Sequence, residues 1–351
     1  MEEVIGKPND DAAFGRYLAD WRAIMANRID EATARIVAID GVRGLILAGS
    51  NGLGEPWPLS DIDLIPVYAD DRADQAIEQV EALRLAILDA WSLQGWRTGL
   101  DVGRLHFRVG ELEAAFVNDD PDPIPLLADD RWYHTIDKAY GGRAIHDPDG
   151  RAARLAAWFT ARRFAPEVVA MRMGRSAREA QASLAFVTDY LGRDDVAAAW
   201  GAFLKAIQWR QIHLMEGWGE RDNSLGRFGT RFGRLAHRHG LEELAATFDA
   251  LSGLDPESVA KRLAQAPAWV HERNDRSWRA RLAVNEPVTR LESDRDVIRV
   301  CTMYELRVVD GPPFPGWLVV PEVADLRNRA TRLAGLVEPT AQPRPREENT
   351  P

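Results

Sequence analysis

Two aspartates separated by a single residue, Asp61 and Asp63, stand in an apolar segment of the sequence. The apolar run Ile62–Val67 has the length and composition of a buried β-strand. Side chains two residues apart on a strand share a face, with Cα atoms roughly 7 Å apart, so both carboxylates can enter one site. Carboxylate oxygens are hard ligands of the kind that Mg²⁺ prefers, together with substrate phosphates. The alternative is a pair of acidic residues at the start of an ordinary strand.

A glycine-rich segment precedes the two aspartates. The short apolar run Leu45–Ala48 ends at Gly49 and Ser50, and Gly52 and Gly54 follow. Because glycine has no side chain, the backbone N–H groups of such a loop can approach a polyphosphate closely. The sequence therefore predicts a strand, a phosphate-binding loop and a second strand that carries two metal ligands.

This arrangement resembles the signature of the DNA polymerase β-type nucleotidyltransferase superfamily, in which a Gly-Ser pair precedes an Asp-x-Asp strand. Here Gly49-Ser50 stands twelve positions before Asp61-Ile62-Asp63-Leu64. The loop also resembles that of the uridylyltransferases that modify the nitrogen-signalling PII protein. The matching residues are Gly52, Gly54-Glu55, Pro58 and Leu59-Ser60-Asp61-Ile62-Asp63. Leu53 stands where those enzymes usually carry an arginine, so this position departs from their pattern.

The resemblance implies an enzyme that moves a nucleoside monophosphate from an NTP, expected to be ATP, to an acceptor hydroxyl or amine with release of pyrophosphate. Two Mg²⁺ ions would be bound by Asp61, Asp63 and a third carboxylate from a following strand. Leu100-Asp101-Val102-Gly103 resembles the corresponding segment of the uridylyltransferases, where an acidic residue precedes Val-Gly. Asp101 is therefore the expected third metal ligand and catalytic residue, while Gly49, Ser50 and Ser60 would bind the nucleotide.

The alternation of residues 96–109 conflicts with this role of Asp101. The segment is predicted as one strand, and strict alternation places Asp101 on the same face as Leu105 and Phe107. A polar site at Asp101 thus requires a bulge or bend near Gly103. Otherwise, Asp101 is simply a residue at the start of a strand.

Composition limits the class of protein and its partners. The chain has 351 residues, with 46% hydrophobic and 28% charged residues, which predicts two domains of a soluble globular protein. No apolar run is long enough for a membrane span, and the N-terminus lacks a signal-peptide pattern, so we expect a cytoplasmic protein without a membrane partner. Cys301 is the single cysteine, which excludes an intramolecular disulfide.

The charge balance bears on the acceptor. The sequence has 44 basic and 54 acidic residues, for a formal net charge of −10, which disfavours a nucleic-acid partner. We expect a small polar acceptor, while a protein acceptor, as in AMPylation or UMPylation, remains an alternative. A third alternative is a non-catalytic regulator that binds nucleotide without turnover.

The predicted fold class is α+β, with a mixed sheet of the nucleotidyltransferase type and an all-α second domain. Residues 1–150 form the catalytic domain, which begins with a helix at 10–36 and has another near 132–139. Residues 151–337 form the helical domain that walls the cleft, as in nucleotidyltransferases similar to the aminoglycoside-modifying type, and 338–351 form a disordered tail. Helices of the second domain are predicted at 151–163, 166–190, 194–218, 226–239, 241–252, 256–265 and 321–336, while 290–320 receives no assignment.

Basic residues of the second domain are candidates for binding the triphosphate. Arg227, Arg231, Arg234 and Arg238 are spaced four, three and four residues apart, so they form one stripe on a helix. Lys205 is one of only four lysines in the chain. Arg231 and Lys205 are the named candidates, and the alternative is a solvated basic face.

Overall fold

The computed structural model describes residues 11–221, 225–309 and 313–336. The predicted start of the first helix at residue 10 and the predicted tail from 338 onward lie outside the described residues. Contacts within the chain divide it into two compact units. The first unit comprises the chain up to Val168 together with Ala280–Glu286, and the second comprises Val169–Arg279 together with the chain from Pro287 onward.

The first unit combines a mixed sheet with helices, which confirms the α+β class. In its described residues the strands are β1 (Val42–Ala48), β2 (Ile62–Tyr68), β3 (Leu100–Val102), β4 (Phe107–Arg108) and β5 (Arg143–His146). Its helices are α1 (Asp11–Val37), α2 (Gly49–Leu53), α3 (Ala73–Leu93), α4 (Val109–Ala115), α5 (Pro123–Leu126), α6 (Asp130–Lys138) and α7 (Arg151–Arg162). The strand order is β3-β2-β1-β5, with β4 also pairing with β2. β1 is antiparallel to β2 and β5, and β2 is parallel to β3 and β4.

Helices α1 and α3 bury their apolar faces against the sheet. Met25 and Ile36 of α1 and Val80 and Trp91 of α3 belong to one core cluster with apolar side chains of β1 and β2. Their spacing follows the helical repeat, which is why periodicity predicts both helices. Complete burial of each such side chain contributes roughly 1.5–3 kcal/mol, so this core fixes the strands that carry the aspartates.

The predicted continuous strand at 96–109 is wrong, whereas the predicted irregularity near Gly103 is correct. β3 ends at Val102, Gly103 has φ +101°, and β4 begins only at Phe107. This φ is readily adopted by glycine and strained for other residues. Because the strand is interrupted here, the orientation of Asp101 is not tied to that of Phe107.

The division of the chain lies at Val168 rather than at the predicted Gly150–Arg151. β5 ends at His146, and the chain turns at 148–150 before α7. α7 then packs in the first unit, where the ring of Phe159 lies 6.0 Å from that of Phe107. This apolar contact explains why the sheet unit extends past residue 150.

The described residues of the second unit form helices joined by loops, with no strand among them. Its helices are α8 (Pro166–Leu191), α9 (Val196–Gly217), α10 (Phe228–Arg238), α11 (Glu242–Leu251), α12 (Pro256–Gln265), α13 (Ala268–Ala283, whose end belongs to the first unit), α14 (Arg290–Glu305) and α15 (Val323–Ala334), with 3₁₀ turns at Leu225–Arg227 and Gly316–Leu318. The predicted helices from 151 to 265 match within two residues at each end. α13 was not predicted, and α14 lies in the unassigned segment. None of the helices in the described part of the chain is long and apolar enough to cross a membrane.

Candidate functional site

The pairing of β2 with β3 brings the three predicted carboxylates together. In this parallel pair the Cα partner of Asp63 is Asp101, and the partner of Ile62 is Leu100. Partner residues on neighbouring strands project to the same face of a sheet, and Asp61 precedes Asp63 by two residues. The register therefore places Asp61, Asp63 and Asp101 on one face, beside the segment that follows β1.

A lysine that the sequence analysis left without a role lies between two of these carboxylates. Nζ of Lys138, at the end of α6, lies 2.6 Å from Oδ1 of Asp63 and 3.8 Å from Oδ2 of Asp101. The three residues line a small cleft together with Gly103 and Leu105. Lys138 is thus an internal counter-ion at the point where the predicted metal ligands converge.

Two glycines explain how closely the carboxylates approach the backbone. Gly49 has φ +59°, and a Cβ added there would lie 1.8 Å from Oδ2 of Asp63. A Cβ added at Gly99 would lie 1.9 Å from Oδ1 of Asp61. Any side chain at either position would displace a carboxylate, so both glycines are needed for the observed arrangement.

Hydrogen bonds fix α2 against the start of β2. The hydroxyl of Ser50 donates to Oγ of Ser60 at 2.8 Å, and the backbone N–H of Trp57 donates to the same oxygen at 3.0 Å. The side-chain amide of Asn51 donates to the carbonyl of Asp61 at 2.8 Å. Ser50 and Ser60 are therefore coupled to each other, and Ser60 is buried. Their predicted contact with a nucleotide stays a prediction.

Leu53, which replaces the arginine of the similar loops, has an apolar contact. A Cβ added at Gly141, where φ is +69°, would lie 2.4 Å from Cδ1 of Leu53. The leucine therefore packs over bare backbone beside β5. This contact helps to hold α2 and offers no charge to a phosphate.

The electrostatics of the site centre on Asp63. Only 6% of the residue is exposed, and this burial raises the pKa of Asp63 to about 6 against the attraction of Lys138. Repulsion from Asp101 and Asp61 is a smaller part of the same increase in the pKa of Asp63. Desolvation by the surrounding protein also raises the pKa of Asp61, although this residue keeps an exposed edge. Burial lowers the pKa of Lys138, but attraction to the three carboxylates outweighs that effect and leaves the pKa raised.

The carboxylates suit Mg²⁺ in chemical type. Oδ1 of Asp63 is a buried hard ligand whose contact is the ion pair with Lys138. As the side chains stand, however, no group of three or more acidic, histidine or cysteine residues in the described ranges is arranged to hold a metal ion. Nζ of Lys138 takes the position of a cation between Asp63 and Asp101. Metal binding therefore requires Lys138 to leave Asp63.

Two other acids of the first unit are engaged in structural ion pairs. Glu111 accepts hydrogen bonds from Arg131 at 2.8 Å and from the indole N–H of Trp132 at 2.8 Å. Glu113 pairs with Arg151 at 2.7 Å. These contacts leave Asp101 as the carboxylate that faces Asp63.

The arginine stripe of the second unit makes local contacts. Arg231 pairs with Glu220 at 2.9 Å, and Arg238 lies 3.4 Å from the same carboxylate. Arg234 donates to the carbonyl of Pro287 at 2.7 Å. The segment 222–224, which precedes the stripe, lies outside the described residues. These contacts favour a structured basic face, and a role of Arg231 in nucleotide binding stays a prediction.

Lys205, the second basic candidate, lines a cavity within the second unit. Its Nζ donates to Oε1 of Gln208 at 3.2 Å and lies 4.9 Å from the centre of the Trp209 ring. Its predicted contact with the triphosphate likewise stays a prediction.

No protein-family model matches this sequence, and neither the curated proteins nor the solved structures contain a significant match.

Proposed function

We propose that the protein is a Mg²⁺-dependent nucleotidyltransferase of the DNA polymerase β type. The observation that carries this proposal is the register of β2 with β3, which sets Asp101 beside Asp63 and puts three carboxylates on one face. Beside them, α2 follows β1 with no side chain at Gly49. A carboxylate cluster next to bare backbone suits a metal-bound polyphosphate.

Asp61 and Asp63 would hold Mg²⁺, and Asp101 would complete the site. Bound Mg²⁺ would neutralise the negative charge that develops on the triphosphate during transfer. The acceptor oxygen or nitrogen forms a bond to the α-phosphorus, the bond to the bridging oxygen breaks, and pyrophosphate leaves with that electron pair. Asp101, with its side chain 44% exposed, is the carboxylate placed to accept the acceptor's proton. Gly49 and Ser50 would position the phosphates, because such chemistry depends mainly on positioning and charge neutralisation.

Single substitutions of the paired aspartates test this function. Asp61→Asn and Asp63→Asn should each reduce Mg²⁺-dependent pyrophosphate release from mixed NTPs by at least about 100-fold, because a metal ligand is lost. Asp101→Asn should also reduce transfer. Asp89→Asn, which changes an exposed residue of α3, is the matched control and should retain the wild-type rate.

Far-UV circular dichroism would establish that the variants remain folded. Wild-type transfer rates in both Asp61→Asn and Asp63→Asn would show that the site does not perform this reaction.

We also propose that the acceptor is a small cationic or neutral polar molecule. The excess of acidic residues and the carboxylate cluster would repel a polyanion such as nucleic acid. Incubation with α-labelled NTPs and a lysate fractionated by size tests this choice. Label in the small-molecule fraction is expected, whereas label found only in a discrete protein band would identify a protein acceptor.

The contact of Lys138 with Asp63 favours a second candidate function. An internal cation 2.6 Å from the carboxylate could replace a metal permanently, which suits a regulator that binds nucleotide without turnover. Equilibrium binding of a non-hydrolysable NTP analogue separates the two functions. A regulator would bind the analogue equally well with and without Mg²⁺, whereas the enzyme should require the metal.

A further inference from the structure

A cavity of about 230 Å³ lies within the second unit, lined by residues of α9, α10, α12 and α14 and of the turn after α11. Its charged lining residues are all cationic: Lys205, Arg262, Arg299 and Arg307. No Asp or Glu is among the described residues that line it. The remaining wall is largely apolar and includes Leu204, Phe228, Leu254 and Met303. The cavity thus combines positive charge with an apolar surface.

Arg262 is the most informative residue of this cavity. It is only 2% exposed, yet no carboxylate of the described chain forms an ion pair with it. Nη1 donates to the hydroxyl of Thr302 at 3.3 Å, while the buried Nε has no hydrogen-bond partner. Burial and, to a smaller extent, the charge of Arg329 lower the pKa of Arg262 to about 10, against the attraction of Asp255. A buried guanidinium that forms no ion pair is unfavourable, so an anion bound in the cavity beside Arg262 would offset part of this cost.

Arg299 provides a second guanidinium in a fixed position. Its Nη1 donates to Oε1 of Gln211 at 3.2 Å, and its Nη2 lies 3.5 Å from Asp249. These contacts hold the side chain, and its buried Nε also has no hydrogen-bond partner. Two arginines therefore line one cavity, and each has a buried Nε without a hydrogen-bond partner. Guanidinium groups recognise carboxylates and phosphates through paired N–H donors.

We propose that this cavity binds a small organic anion, either a carboxylate or a phosphate monoester, with an apolar body. A cavity of about 150 Å³ accommodates benzene, so a volume of 230 Å³ admits about ten non-hydrogen atoms. The anionic group contacts Arg262 and Arg299, while Phe228 and Leu254 contact the body. This proposal does not depend on the proposed nucleotidyl transfer.

Isothermal titration calorimetry with three matched probes tests the proposal on the full-length protein. Phenyl phosphate and benzoate each carry one of the two anionic groups on a phenyl ring, and benzamide is the neutral analogue of benzoate. We expect at least one anion to bind with a dissociation constant below about 1 mM and to bind at least about tenfold more tightly than benzamide. The better anion distinguishes a phosphate ester from a carboxylate as the natural ligand class.

Two neighbouring variants on α12 and a third after α14 locate the site. Arg262→Met should weaken the better anion by about 10- to 100-fold, because it loses hydrogen bonds to a charged group. Lys261→Met removes one positive charge from the adjacent exposed position and should change binding by less than about twofold. Arg307 is an exposed residue that also lines the cavity, so Arg307→Met should weaken anion binding without affecting folding. This variant replaces Arg262→Met as the test if Arg262→Met does not fold.

Two results would overturn the proposal. One is a failure of both anions to bind, or binding of benzamide as tight as that of the anions. The other is unchanged anion affinity in folded Arg262→Met, or in Arg307→Met if the first variant does not fold. Asp63→Asn should bind the anion like the wild type, so this test is distinct from that of nucleotidyl transfer.

Discussion

Replacing Lys138 with methionine should destabilise the protein increasingly as the pH rises. The substitution keeps a similar apolar stem but removes the ammonium group 2.6 Å from Oδ1 of Asp63. In the wild type, the pKa of Asp63 is raised from its usual 3.8 to about 6. Without Lys138, the buried carboxyl loses its main attraction and should keep its proton to a still higher pH.

The magnitude follows from proton linkage. A raised pKa means that the stabilising contribution of neutral Asp63 is complete below about pH 4 and is lost as the pH rises through about 6. Above pH 6 the folded wild type has released this proton, whereas the folded variant still binds it. The variant therefore loses about 1.4 kcal/mol of stability relative to the wild type per pH unit. Because 36% of the Lys138 side chain is exposed, solvent screens its attraction to Asp63. The pH range over which the two proteins differ in the protonation of Asp63 is then about two units, which corresponds to a difference of about 3 kcal/mol in the free energy of unfolding.

Urea denaturation followed by tryptophan fluorescence at pH 6 and pH 8 measures this difference. The control is Lys138→Met in an Asp63→Asn background, where position 63 no longer titrates and the pH-dependent loss assigned to Asp63 should disappear. A wild-type-to-variant difference of equal size at both pH values would refute the reasoning. It would show that Lys138 does not control the protonation of Asp63.

Further predictions concern Gly49 and Gly54, metal binding and Cys301. Gly54→Ala should lower the free energy of unfolding by roughly 1 kcal/mol, because Gly54 has φ +80° but no atom lies near its Cβ position. Gly49→Ala should lower it more, because its Cβ also collides with Asp63, and urea denaturation measures both changes. The Mg²⁺ dissociation constant should rise about tenfold per pH unit below pH 6, as Asp63 takes up a proton, and titration calorimetry measures this change. Burial raises the pKa of Cys301 to about 12, so mass spectrometry should detect its alkylation at pH 8 only after unfolding.

The elements that are periodic in sequence were predicted well, and the long-range pairings were not. Helices α9 and α12 have apolar residues at helical spacing, so their bounds could be read within two residues. α13 was missed because its buried positions are largely polar. Three of its five buried residues, Asn274, Ser277 and Arg281, are polar, and the other two are Val270 and Ala280. A hydrophobic repeat cannot reveal such a helix.

The carboxylate pair was predictable because it depends on local geometry alone. Asp61 and Asp63 share a face through the two-residue repeat of any strand. Asp101 depends on the parallel register of β3 with β2, and only the resemblance to a known family indicated it. Lys138 comes from α6, whose contact with the sheet depends on tertiary packing. No repeat or motif marks this lysine in the sequence.

Lys138 also separates the two proposed functions. If Mg²⁺ displaces the ammonium group during an enzymatic cycle, millimolar Mg²⁺ should stabilise the wild type and should stabilise Lys138→Met more strongly, because the variant has no competing cation. If Lys138 is a permanent counter-ion, Mg²⁺ should stabilise the variant alone. The wild-type response to Mg²⁺ thus decides whether the contact between Lys138 and Asp63 is one state of a metal site or a replacement for the metal.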